Sequence, residues 1–139
     1  MSRGHDAAGV LVVAASTGRV LLALRSSTVR NPGTWSVFGG GIDQGETPDE
    51  AASRELYEEA GLDYDERDFV LVHERDKGAS RGGVYSTFLL VVKKEVRVRI
   101  NHESDDWGWF EPDDLPEPLH LGAEALFDDV DVEELLDEW

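Results

Sequence analysis

Strands interleaved with two or three helices predict an α/β layered fold built on a mixed sheet. Three observations carry that expectation. Apolar runs of strand length recur through the chain. One helix start is spelled out at residues 47–50. No linker, internal repeat or low-complexity stretch divides the 139 residues, so residues 1–139 read as one domain.

The elements follow in order. Residues 9–15 (GVLVVAA) form a buried strand, and Ser16-Thr17-Gly18-Arg19 a turn. Residues 20–25 (VLLALR) complete a hairpin. Asn31-Pro32-Gly33 marks a loop over 26–34. A short strand, WSVF at 35–38, ends on Gly39, Gly40 and Gly41. Thr47-Pro48-Asp49-Glu50 then supplies a hydroxyl cap, proline at the first helical position and glutamate at the third, a capping box. The helix should reach Ala60, with Gly61 as its left-handed end. Strands are expected at 69–74, 84–92 and 107–110, with a glycine-rich connector at 77–83. VRVRI at 96–100 alternates cleanly and also reads as strand. After Pro112, Pro116 and Pro118, a short helix is expected at 121–127. Asp131 caps a last one, whose Val132, Leu135, Leu136 and Trp139 share a face. That stripe reads as packing or as a homodimer contact, leaving a monomer or a homodimer open.

Composition narrows the chemistry. The chain has no cysteine, which excludes disulfides, thiolate metal sites and a cysteine nucleophile. No apolar run approaches the ~18 residues of a membrane span. The opening MSRGHDAAG lacks the apolar core of a signal peptide, so a cytoplasmic address is expected. The net charge is −17, from 13 Lys+Arg against 30 Asp+Glu. Such a surface repels membranes and long nucleic acid, but not a small polyanion that brings a divalent cation. A high-salt habitat also fits this acidity, as does a plain solvated surface.

The first helix carries the strongest local signal. At 100° per residue, Glu55, Glu58 and Glu59 fall within roughly 100° of arc, beside an apolar stripe of Ala52, Leu56 and Ala60. These carboxylates repel one another by roughly 1 kcal/mol per close pair. They also sit toward the end of the helix whose dipole disfavours anions. A hard cation such as Mg²⁺ relieves both, and it is usually shared with substrate phosphates. An exposed, solvated acidic face is the other reading of the carboxylates alone.

From Gly40 to Leu62 the chain reads GGIDQGETPDEAASRELYEEAGL. This resembles the Nudix box, G-x5-E-x7-R-E-U-x-E-E-x-G-U with U aliphatic. Gly40, Glu46, Arg54, Glu55, Leu56, Glu58, Glu59, Gly61 and Leu62 fill every fixed position. The resemblance implies an α/β/α sandwich with a mixed sheet between helices, the box forming loop, helix and loop. It implies hydrolysis of a nucleotide phosphoanhydride by water with Mg²⁺, or Mn²⁺ in its place. Glu55, Glu58 and Glu59 would bind metal, and a carbonyl near Gly40 would complete the shell. Arg54 would orient a glutamate and Glu46 brace the loop, while Leu56, Gly61 and Leu62 hold the box together. The general base is Glu55 or Glu103, the latter in NHESDDWGWF, where related members place a metal-reaching carboxylate. A surface-loop role is the other reading of Glu103.

Substrate contacts are less defined. Arg25 could meet a phosphate or stand exposed. Trp35 could stack on a base or pack, and Phe38 is expected in the core. Gly39 and Gly41 would let backbone approach the substrate. Tyr85, Trp107 and Trp109 either line a base pocket or pack. His5 and His120 have no partner at metal-ligand spacing and read as structural or exposed. Phe38 stands where related members often carry proline, and Lys77 where ADP-ribose pyrophosphatases carry one. The expected substrate is a small nucleotide, a (d)NTP or oxidised dNTP cleaved to a monophosphate and pyrophosphate. ADP-ribose, a nucleotide sugar or a dinucleoside polyphosphate is the alternative. A non-catalytic nucleotide sensor is the third reading, although sensors typically lose a box glutamate and this chain keeps all of them.

Overall fold

The computed structural model describes residues 6–78 and 82–139. Strand β1 (Ala7–Ala14) is buried along its whole length and organises the rest. Its uncharged, β-branched sequence suits a strand covered on both faces. It runs parallel to β6 (Val84–Val92), from Ala7 opposite Tyr85 to Ala14 opposite Val92. On its other side it pairs antiparallel with β2 (Val20–Arg25), through the expected turn, and with β4 (Phe38–Gly41). Strands β3 (Trp35–Ser36) and β7 (Ser104–Phe110) extend the sheet from β2, and β5 (Val70–Asp76) extends it from β6. The mixed sheet therefore has seven strands.

Helix α1 (Pro48–Ala60) covers one face. Thr47 accepts from the Glu50 amide, Glu50 accepts from the Thr47 amide, and Gly61 closes the helix at φ 70°. Ala51, Ala52, Leu56 and Ala60 pack there with Val10, Val12 and Leu90. Leu56 is fully buried, so truncation to alanine costs ~2–5 kcal/mol. Helices α2 (Leu121–Asp129) and α3 (Val132–Glu138) cover the other face with Leu126 and Val132, over Leu11, Val13 and Leu22. Helices on both faces make the predicted α/β/α arrangement. Leu135 and Leu136 join this second core, whereas Trp139 is 68% exposed. No helix among the described residues is long and apolar enough to cross a membrane.

Two expectations need correction. Gly40, where the box and its expected first loop begin, lies in a strand with its neighbours: Gly39, Gly40 and Gly41 pair with Gly9, Ala8 and Ala7. The chain changes partner at Val37, from β2 to β1, and the loop proper begins at Ile42. Residues 96–100, read as a strand, are extended but belong to no sheet. Val98 is buried, and Val96 and Ile100 pack beside it on the α1 core, which accounts for the alternation. Their backbone serves the end of α1 instead of a strand. The Arg99 amide donates to the Ala60 carbonyl at 2.9 Å, one of the acceptors a helix end leaves unsatisfied.

Candidate active site

Arg54, midway along α1, is the centre of a network that ties helix to loop. Its Nε donates to Glu46 Oε2 at 2.7 Å and its Nη2 to Glu46 Oε1 at 3.0 Å, a two-pronged pair. Nη2 also donates to the Gly41 carbonyl at 3.0 Å. Nη1 donates to Glu55 Oε1 at 2.9 Å and to Glu58 Oε1 at 3.1 Å. Glu46 in turn accepts from the Asp43 amide at 2.8 Å. The hydrogen bond from Arg54 holds the Glu46 carboxyl below the usual carboxylate range. The same bond pushes the Arg54 guanidinium up, so it stays charged.

Glu59 is the buried member, 5% exposed. One oxygen accepts from the Gly39 amide at 3.3 Å. The other, Oε2, has no partner among the described residues. An unpaired buried carboxylate oxygen costs several kcal/mol in a dry interior. Burial first, and then Glu55 and Glu103, push this carboxyl far above the usual range, to about 10. Glu59, Glu103, Arg25, Phe38 and Gly39 line one narrow cleft of about 30 Å³. That is room for one water or ion, not for a base. Gly40 lies flush on the Glu55 carboxyl, where a Cβ would come within 2.7 Å.

Glu103 reaches the cleft because Asn101 turns the chain. The Glu103 amide donates to Asn101 Oδ1 at 2.9 Å, and Asn101 Nδ2 donates to the Glu58 carbonyl at 3.2 Å. Asn101 thus joins the two carboxylate-bearing segments. Its role was missed in the sequence, although Asn two residues before Glu103 is the pattern of an Asx turn.

The structure gathers Glu55, Glu58, Glu59, Glu103, Arg54, Arg25 and the three glycines. Trp35 lies elsewhere, among the α2–α3 core side chains, edge-on to Phe110 at 5.2 Å. Trp107 and Trp109 pack against the α1 core, and Phe38 is 2% exposed. His120 caps α2, its Nδ1 accepting from the Gly122 amide at 2.9 Å. His5 lies outside the described residues.

Whether these residues suit a divalent cation can be asked of the donors themselves. All are hard oxygens, and one is buried without a partner. Among the described residues, however, no three metal-ligating side chains converge on one point. Glu55 and Glu58 are turned onto the same Arg54 nitrogen. The Glu58 side chain is 50% exposed and can rotate away. The donor set therefore fits Mg²⁺ or Mn²⁺, provided Glu58 exchanges its arginine for the ion.

A family model, the NUDIX domain, matches residues 3–130. An RNA pyrophosphohydrolase of Erythrobacter litoralis is 34% identical, over 82% of this chain and 80% of its own. Nucleoside triphosphatase NudI of Escherichia coli is 32% identical, over 60% and 66%. Among solved structures, a MutT Nudix hydrolase from Burkholderia pseudomallei has a TM-score of 0.79 at 26% identity, covering 91% of this chain and 97% of its own. RenU, a Nudix hydrolase from M. smegmatis, has 0.76 at 26%, covering 99% and 89%.

Proposed function

The chain belongs to the Nudix family, whose hydrolases act on pyrophosphate bonds in nucleotides, and on that premise we propose an Mg²⁺-dependent hydrolase of small nucleotides. The substrate is a (d)NTP or an oxidised dNTP, and the products are a nucleoside monophosphate and pyrophosphate. One observation carries the reading: Glu59, buried with an unpaired oxygen, and Glu103 line a single cleft beside Arg25, while Glu55 and Glu58 stand next to it on Arg54.

Glu55, Glu58, Glu59 and Glu103 would hold the cation, with Mn²⁺ able to replace Mg²⁺. The cation would neutralise phosphate oxygens and orient the attacking water. The remaining work belongs to the chain. Glu55 or Glu103 accepts the water proton through a carboxylate oxygen. Arg54 keeps Glu55 aimed, and Glu46 keeps Arg54 aimed. The Gly39 amide fixes one oxygen of Glu59 and leaves the other facing inward. Arg25, half-buried in the cleft wall, meets substrate phosphate.

The test is product analysis with Mg²⁺ and a panel of dNTPs, 8-oxo-dGTP, ADP-ribose, nucleotide sugars and diadenosine polyphosphates. Monophosphate plus pyrophosphate from a triphosphate is the expected result. Cleavage confined to ADP-ribose, sugar or dinucleotide compounds overturns the substrate assignment. Tight nucleotide binding without turnover overturns catalysis.

A further inference from the structure

A group of cations stands next to the carboxylate cleft, on the α2 side of the sheet. Arg75 on β5 lies over the Tyr85 ring at 5.1 Å and pairs with Tyr85 across the β5–β6 ladder. Its guanidinium packs on Gly122, in the first turn of α2, so closely that a Cβ there would overlap it. Arg25 forms part of the cleft wall and donates from Nε to the Arg30 carbonyl at 2.6 Å. Lys77 follows Arg75 on the same edge, half-buried, with Asp6 nearby.

This grouping runs against the charge of the molecule. At net −17, carboxylates are abundant, yet no ion pair within 4.0 Å among the described residues involves Arg25, Arg75 or Lys77. Arg75 lies instead against a helix amino end, which is itself positive. Arg25 and Arg75 both oppose protonation of His120, so their charges reach the same ground. Like charges kept together against local preference are stabilised by an anion between them. Stacking on Tyr85 fixes the plane of the Arg75 fork, the geometry that grips phosphate through two parallel hydrogen bonds. The group is also continuous with the carboxylates: the Tyr85 hydroxyl sits against Gly9 and Gly39, and the Gly39 amide holds Glu59.

We propose that Arg75, with Arg25, Lys77 and the first turn of α2, forms a second phosphate subsite for a substrate phosphate outside the 5′-triphosphate that is cleaved. The inference rests on the hydrolase reading above and narrows it to nucleotides with an additional phosphate. That phosphate belongs either to a longer 5′ chain or to the 3′ side of the nucleoside.

Steady-state kinetics of Arg75→Gln and Arg75→Lys on three substrates test this. A nucleoside tetraphosphate and a 5′-triphosphorylated dinucleotide each carry the extra phosphate, on opposite sides. ADP-ribose has none beyond its scissile pair. In Arg75→Gln, KM for one of the first two rises roughly tenfold or more with kcat kept, and which one identifies the source. KM for ADP-ribose stays put, and Arg75→Lys recovers part of the loss. Equal changes on all three, or none, overturn the proposal. A calorimetric titration of tripolyphosphate into metal-free protein stands apart from turnover. Binding that Arg75→Gln weakens roughly tenfold keeps the subsite even if no substrate is hydrolysed. No binding, or binding indifferent to Arg75, removes it.

Discussion

The two banks of the site, one on α1 and one beside α2, are built on arginine in opposite ways. On the α1 bank, Arg54 meets oxygens from Glu46, Glu55, Glu58 and the Gly41 carbonyl. On the α2 bank, Arg75 meets an aromatic ring and a helix amino end, and takes part in no ion pair among the described residues. The first arginine is spent on structure: it fixes anions that would otherwise repel. The second is held in place without any carboxylate, by a ring and a helix amino end, and keeps its charge available. A metal–phosphate complex needs both, anions for the cation and a cation for the anion. Burial follows the same division, since the α1 bank hides a carboxylate and the α2 bank leaves its cations half-exposed.

Four substitutions sharpen the contrast, and the first is expected to have the largest effect. Glu58→Gln removes a charge without changing shape, so turnover should fall about 100-fold or more with the melting temperature nearly kept. Wild-type-like turnover would take Glu58 out of the site. Arg54→Ala follows. Activity should drop roughly 10- to 100-fold, while loss of a half-exposed network costs only about 1–2 kcal/mol, a few degrees of melting temperature. If stability suffers and the residual activity does not, Arg54 serves the fold alone. Glu103→Gln then separates the carboxylates: a fall of about tenfold or more, with altered Mg²⁺ dependence, assigns Glu103 a part in the chemistry. An unchanged rate and metal profile would leave the proton transfer to the α1 bank. Asn101→Ala should loosen Glu103 from the end of α1, lowering kcat about tenfold and leaving KM in place. A change in KM without kcat would contradict that role.

The smallest effect belongs to His120. Burial, then Arg25 and Arg75, lower its pKa below the usual 6.5. Its neutral ring caps α2 through Nδ1. In the unfolded chain the ring takes a proton as pH falls through 6.5, whereas the folded chain resists. The stabilisation is therefore complete above pH 6.5 and declines below it. His120→Asn keeps a cap that does not titrate. Melting temperatures of the two proteins should diverge by a few degrees at most between pH 7.5 and 5.5, the wild type losing more. Parallel profiles would remove His120 from the account.

The α1 bank was largely legible in the sequence because its information is local. The capping box, the glycine stop and the three glutamates all lie within one helix and read from spacing. The pairing of Arg54 with Glu46 spans a loop, and the family resemblance gave each residue a role without joining the two. The α2 bank was illegible for a different reason. Arg75 touches Tyr85 on the next strand and Gly122 far along the chain, and nothing in ERD or LGA signals the approach. The alternation of 96–100 misled because an extended segment packed on a core looks like a strand whether its amides meet a neighbour or a helix end. The position of Trp35 was equally hidden, since a two-residue strand does not announce which face it serves.

The central strand also sets a timetable. Val10 and its neighbours leave the ribosome well before their parallel partners around Phe88, with β2 to β5 and α1 made in between. At about 5–20 residues per second, a charge-free apolar strand waits several seconds for β6. During that interval it is the segment most able to pair with another nascent copy. Yield in the cell should therefore respond to translation speed and to chaperones that shield early apolar chain. The finished molecule, its surface densely acidic, gives no sign of that hazard.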